Sequence, residues 1–228
     1  MLTNYYWLAK PGIVYGNALA AIAGFFFAST TVIDWPLFLA MLAGISLIMA
    51  SACVFNNVYD SDIDSRMERT KSRAIPAEKI SPTHALIYGA VLGISGIIAL
   101  LFTNILAFTV ALIGFVVYVF LYTPLKHKNQ IALFVGAVAG ATPPVVGYTA
   151  VTGELNASAV FLFLALFLWQ VPHFLAISVF RYDEYKAAGV PLYIKSPPSE
   201  KAKRLARKIF RASILVLAVF CVVLIFYP

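Results

Sequence analysis

An all-α, polytopic helix bundle lying in a membrane is the fold class that this chain's composition, its long apolar runs and the placement of its charges require. Hydrophobic residues make up 61% of the 228, charged residues only 12%, and mean hydropathy is +0.87. A soluble domain does not reach that balance. Seven apolar stretches of about 20 residues, the length that crosses a bilayer as a helix, can be drawn at 13–33, 36–59, 85–103, 105–124, 131–151, 157–180 and 209–227. The chain is expected to be one domain, 1–228.

The charges alternate with the spans. All 17 Lys and Arg fall on one side: Lys10 before the first span, Arg66 to Lys79 between the second and third, Lys126 and Lys128 between the fourth and fifth, and Arg181 to Arg211 between the sixth and seventh. The opposite connections carry only Asp34 and Glu154. Basic loops stay in the cytoplasm, so the N-terminus and the long loops, 60–84 and 181–208, are expected there, with the chemistry on that face. A net charge of +7 and a pI near 9.4 belong to these juxtamembrane loops and point to membrane lipid and an anionic substrate, not to nucleic acid. No cleavable signal or Arg- and Ser-rich transit sequence is evident, so a prokaryotic plasma membrane is expected. SPPSEKAKRLARK, near 196–208, reads as a basic amphipathic lead-in to the last span. Cys53 and Cys221 lie within apolar spans in no CxxC pattern and read as packing residues.

The most informative run is FNNVYDSDIDSRMERTKSR, where span two meets its basic loop. A four-residue step on a helix drifts only about 40°, so Asn56, Asp60 and Asp64 share one stripe. Hard oxygen donors facing one way at a membrane surface suit Mg²⁺, which completes its shell with water and substrate phosphates. Arg66, Arg69, Lys71 and Arg73 follow at once and can neutralise those phosphates. Asp62 falls about 200° round from Asp60 and faces elsewhere. A second group, Arg181-Tyr182-Asp183-Glu184, either holds another Mg²⁺ through Asp183 or Glu184 from across the same cavity or forms surface ion pairs.

Polar and helix-breaking residues inside spans should face the bundle interior. In span six Trp169, Gln170 and His173 surround Pro172. His173 either makes a structural hydrogen bond or takes part in the chemistry, by binding a haem group, positioning a reacting carbon or accepting a proton. Adjacent Pro143 and Pro144 should break span five and line a cavity. Tyr122 and Tyr148, with Trp169, offer aromatic faces to a cationic intermediate, or simply pack the core.

NNVYDSDIDSRMERTKSR resembles the NxxxDxxxD metal–diphosphate motif of the UbiA-type membrane prenyltransferases, and YTPLKHKNQ, GAVAGATPPVVGYTAVTG and WQVPHFLAISVFRYDEYKAAGVP resemble, in order, segments of the family's haem-modifying branch, the protohaem IX farnesyltransferases. The resemblance implies Asn56, Asp60 and Asp64 as Mg²⁺–diphosphate ligands, Arg66, Arg69, Lys71 and Arg73 as their basic flank, Lys126 and Lys128 as a second basic loop, and His173 as the polar position of span six. With Gln170, Arg181, Tyr122 and Tyr148 these form the candidate site, in which Asp60, Asp64 and His173 are the expected catalytic groups and Asp183 and Glu184 further metal ligands. Two positions depart from the pattern: Asn57 stands where many relatives have Asp, and Asp183-Glu184 replaces a fuller DxxxD. Members of the family usually have nine spans; seven here, ending at Phe226-Tyr227-Pro228, imply either a compact member or, as is expected, a chain that lacks the last two helices.

The implied reaction joins the farnesyl group of farnesyl diphosphate to a vinyl carbon of haem b, with water added at the neighbouring carbon, giving haem O and diphosphate. Mg²⁺ is the expected cofactor; farnesyl diphosphate, haem b and membrane lipid are the expected partners, with homo-oligomers or haem-pathway enzymes as further ones. The rivals are a UbiA-type enzyme that prenylates a phenolic quinone precursor, a secondary transporter built on broken helices, and a non-catalytic assembly factor. Charge concentrated at one mouth, with almost none at the midplane, argues against the transporter.

Overall fold

A computed structural model describes residues 2–29 and 32–226. Tyr227 and Pro228, on which the expectation about the chain's end turns, lie outside the described residues. The described residues contain helices and connections and no strand. Seven helical units are long and apolar enough to cross a membrane: α2 (Pro11–Ala28), α3 (Trp35–Asp64), α4 (Pro82–Leu100), α5 (Ile105–Val116) with its continuation to Leu125, α7 and α8 (Ala132–Gly140 and Thr142–Thr152), α9 (Ala157–Phe180) and α11 (Glu200–Phe226). Two short helices, α1 (Leu2–Leu8) and α10 (Tyr182–Ala187), lie beside the basic end of the bundle.

The expected number of spans holds, and several boundaries move. The first ends at Ala28 instead of 33, where Ser29 turns extended and its hydroxyl returns to Phe25 O at 2.8 Å. The last begins at Glu200 instead of 209, so the basic lead-in and the apolar span are one helix. Span two runs to Asp64 instead of 59. At 30 residues and about 1.5 Å per residue α3 is roughly 45 Å long, more than the ~30 Å hydrocarbon core. Started at Trp35 by an Asp34 side chain that accepts from Leu37 N at 3.0 Å, it lifts Asn56, Asp60 and Asp64 to the far membrane boundary as a continuous helical stripe.

Span five breaks at Ala141, as its prolines require. Pro143 and Pro144 sit in the first turn of α8, where a missing N–H costs nothing. The expectation that this break lines a cavity is not met. Pro143 and Pro144 are buried, and α8 presses backbone to backbone against α2. A Cβ on Gly24 would stand 2.0 Å from Pro144 O, and one on Gly147 1.9 Å from Ala21 O. In lipid, helices associate through such close approach of small residues.

Span four holds a feature the sequence reading missed. After α5 the helix widens into a π-helical segment, Val117–Tyr122, before the short turn α6 (Thr123–Leu125). Pro124 supplies a local cause: it has no N–H for Phe120 O, and its ring would strike that carbonyl in a tight helix. The widened turns present Tyr118 and Tyr122 to the cavity described next.

Candidate active site

A cavity of about 500 Å³ opens at the basic end of the bundle, between α3, the π-helical segment, the loop after α6, α9 and the 66–73 connection. That size lies in the range of small-molecule sites. Its floor is the α3 stripe: Asn56, Asp60 and Asp64 are all buried and all line it. Asp62 is exposed on the other face, as its angular position requires.

Each stripe residue meets a cation. Lys10 donates to Asn56 Oδ1. Lys126 donates to Asp60 Oδ2, and His127 Nε2 stands 2.9 Å from Asp60 Oδ1. Arg73 donates to Asp64 Oδ2 at 2.6 Å and to Asn57 Oδ1 at 3.3 Å. Arg69 and Arg181 complete the basic lining, and Tyr118, Tyr122, Phe174 and Phe180 form much of the apolar wall. Burial pushes the Lys10 ammonium down to about 8 and raises the phenol of Tyr185 at the rim. Cations in such excess over carboxylates suit a polyanion.

The donor set also fits a hard divalent cation. Asn56, Asp60 and Asp64 offer three oxygens from successive turns, yet among the described residues no three His, Cys, Asp or Glu side chains could hold a metal ion by themselves. Mg²⁺ bound here would take its remaining positions from substrate oxygens and water.

The structure brings half of the expected residues together and separates the other half. Arg69, Arg73, Lys126, Arg181 and Tyr122 line the cavity with the stripe. Arg66, Lys71 and Lys128 do not; all three are exposed, and Lys71 pairs with Glu68 at 2.7 Å. Asp183 and Glu184 also stay out of the lining. Asp183 pairs with Lys203 at 2.6 Å on α11, and Glu184 is held by Arg181 at 2.7 Å and Arg69 at 3.4 Å. The ion-pair alternative describes both better than a second metal site. Gln170 is buried beside Gly140, away from the cavity lining. Tyr148 lies near the other mouth, donating to Asn156 Oδ1 at 3.0 Å, because it follows the Pro143 break toward the loop that starts α9. His173 turns to α11: Nδ1 is 2.7 Å from Ser213 Oγ, and the ring lies between Trp169 and Phe210, 4.9 and 4.8 Å away.

Four contributors went unassigned in the sequence. Lys10 counted only as a topological charge; it enters because the chain takes a left-handed conformation there, φ 52°, between α1 and α2. His127 lies between the two lysines of the YTPLKHKNQ segment and stacks on Tyr59 at 5.5 Å. Tyr118 depends on the π-helical turn, whose only sequence signal is Pro124. Thr123 is buried and donates its hydroxyl to Tyr118 O at 2.8 Å while Asn56 Nδ2 donates to it at 3.0 Å.

Residues 17–228 match the model of the UbiA prenyltransferase family. The chain belongs to that family. Among curated relatives it is 48% identical over 194 residues to the protoheme IX farnesyltransferase of Photorhabdus laumondii and 47% identical over the same length to that of Yersinia enterocolitica, covering 84% of this chain and 66% of each relative. The chain thus spans just under two thirds of their length. Its fold is that of UbiA homologs from Archaeoglobus fulgidus solved with DMAPP and Mg²⁺ (TM-score 0.74, 18% identity, covering 98% of this chain and 84% of that one) and with GPP and Mg²⁺ (TM-score 0.75, 18% identity, 98% and 84%).

Proposed function

We propose that this UbiA-family chain transfers the farnesyl group of farnesyl diphosphate to a vinyl carbon of protohaem IX, forming haem O. The observation that carries the proposal is the meeting, in one cavity, of the Asn56–Asp60–Asp64 stripe, the surrounding Lys and Arg side chains and an aromatic wall. The relatives named protoheme IX farnesyltransferase support the haem acceptor, and the fold neighbours solved with prenyl diphosphates and Mg²⁺ support the donor and the metal. We read residues 1–228 as one prenyltransferase domain in a prokaryotic plasma membrane, basic end in the cytoplasm, because the basic loops mark the retained side.

In this reading Asn56, Asp60 and Asp64 hold Mg²⁺, which supplies neutralisation of charge on the diphosphate. Lys10, Lys126, Arg69, Arg73 and Arg181 bind its remaining oxygens and stabilise the charge that gathers as the carbon–oxygen bond breaks. The wall formed by Tyr118, Tyr122, Phe174 and Phe180 excludes water from the isoprenoid chain and turns aromatic faces to the allylic cation. The vinyl carbon supplies the electron pair for the new carbon–carbon bond as the carbon–oxygen bond to diphosphate breaks, and water adds at the neighbouring carbon, giving up one proton to the departing diphosphate.

The test is direct. Membranes carrying the protein are incubated with haem b, farnesyl diphosphate and Mg²⁺ and assayed for haem O by mass, with geranylgeranyl diphosphate and a phenolic acceptor as competitors. Haem O formed in preference to a prenylated phenol is the expected result; a prenylated phenol alone overturns the acceptor assignment.

A further inference from the structure

We infer that Thr123 is a positioning residue that fixes the amide of Asn56 with its oxygen toward the metal. The inference rests on Asn56 being a metal ligand and adds a part that no pattern of carboxylates contains. Asn56 is a ligand only in one of its two amide orientations, since its oxygen can coordinate a cation and its nitrogen cannot. The hydrogen bonds decide between them. The Thr123 hydroxyl has a single proton and directs it to Tyr118 O at 2.8 Å, so toward Asn56, 3.0 Å away, it can only accept. The atom facing it must therefore be the Nδ2 amide group. On the other side Lys10, a donor only, meets the same residue at Oδ1. Two independent partners, one acceptor and one donor, impose the same orientation.

The local fold makes the arrangement available. Thr123 is 1% exposed, so no solvent competes for its hydroxyl. It follows directly on the π-helical segment, and its own N–H also goes to Tyr118 O, one residue further back than an α-helix would reach. The hydroxyl is thereby anchored to its own helix and offers its lone pairs across the gap to α3. Lys10 is drawn to the diphosphate oxygens when substrate binds, so without the Thr123 anchor nothing would keep the amide from turning over and presenting nitrogen to the metal.

The test measures metal binding, with inorganic diphosphate standing in for the substrate head and Mn²⁺ for Mg²⁺, read as the loss of the free Mn²⁺ spectrum in the detergent-solubilised protein. Thr123→Val keeps the shape and removes the hydroxyl, and Thr123→Ser keeps the hydroxyl. Loss of a group that orients a metal ligand typically weakens affinity about 10- to 100-fold, so Thr123→Val is expected to weaken Mn²⁺ binding by at least about tenfold while Thr123→Ser stays near the wild type. Thr123→Ala serves the same purpose if the valine variant is not monodisperse. Combining Thr123→Val with Asn56→Ala should cost no more than Asn56→Ala alone, because the two remove one interaction. Wild-type Mn²⁺ affinity in the Thr123 variants beside a weakened Asn56→Ala overturns the inference, as does additivity of the two substitutions. Unchanged affinity in Asn56→Ala overturns the metal role of Asn56 itself.

Discussion

Arg73 reaches back from the connection after α3 to hold Asp64, its Nη1 donating to the Oδ2 carboxylate oxygen at 2.6 Å while the same nitrogen reaches Asn57 Oδ1 at 3.3 Å. Asn57 in turn donates to Leu8 O at 2.6 Å. One guanidinium thus ties the end of the stripe to the basic connection and, through Asn57, to α1. That nitrogen spends its two protons on these oxygens and leaves Nη2 and Nε for substrate oxygens in the cavity that Arg73 lines, whereas a lysine has one nitrogen for both tasks. Arg73→Lys is therefore expected to lower kcat/KM for farnesyl diphosphate by about 10²–10³, close to Arg73→Ala, measured as haem O formed per minute. Retention of most activity in Arg73→Lys would show that position 73 supplies only charge.

The pairing of Asp60 with Lys126 and His127 predicts a different signature. Asp60 is buried, and so is most of Lys126. Asp60→Ala leaves that ammonium, and Lys10 near it, without the carboxylate that compensates them. A buried partner stranded in this way costs about 1–3 kcal/mol of stability. Asp60→Ala should thus lose nearly all turnover and also melt at a lower temperature in detergent. Adding Lys126→Met should restore much of the melting temperature and none of the activity, since it removes the stranded charge but not the need for a metal ligand. If Lys126→Met lowers the melting temperature of Asp60→Ala further, the pairing is not what stabilises the site.

The stripe was legible because its information is local: four-residue spacing on one helix places Asn56, Asp60 and Asp64 together whatever the rest of the chain does. The spans were legible for a similar reason, since bilayer thickness fixes their length and charge fixes their alternation. What escaped depends on helix-to-helix placement. Nothing in WQVPHF states that His173 faces Ser213, forty residues later, and nothing in the proline pair states that Gly24 waits for it on α2. For Asp183 and Glu184 the sequence leaves metal binding and ion pairing both open, and only the placement of α11 and the basic connection supplies their partners. Lys10 and His127 were visible as charges, but only the left-handed turn at Lys10 and the turn after α6 aim them at the stripe.

The contact between α2 and α8 leaves no room for a methyl group. The atoms nearest a Cβ at Gly24 or Gly147 are backbone oxygens, at 2.0 and 1.9 Å, and cannot swing aside as a side-chain tip would. Either helix must move. Overpacking of this kind costs about 1–3 kcal/mol or more, so Gly24→Ala and Gly147→Ala should each lower the melting temperature in detergent. Gly12 and Gly16, on the same helix with open space around the Cβ position, provide the control: Gly16→Ala should melt near the wild type or above it, as expected for a helical Gly replaced by Ala.

His173 provides the sharpest contrast between a residue type that attracts chemical hypotheses and the position it occupies. Its ring stacks on Trp169 and meets Phe210 at a tilt, its Nδ1 is held by Ser213 Oγ at 2.7 Å, and Trp169 Nε1 donates to Ser213 O at 2.8 Å. These contacts join α9 to α11. The neighbouring Phe174, one residue on, faces the cavity. His173→Ala should therefore lower the melting temperature by loosening α11, while the Mg²⁺ dependence, the KM for farnesyl diphosphate and the absorption spectrum of bound haem stay at wild-type values. Ser213→Ala, which removes the hydroxyl partner and nothing on the cavity side, should reproduce a smaller part of the same thermal shift. A changed haem spectrum in His173→Ala, with none in Ser213→Ala, would instead put the imidazole on the iron and return His173 to the chemistry.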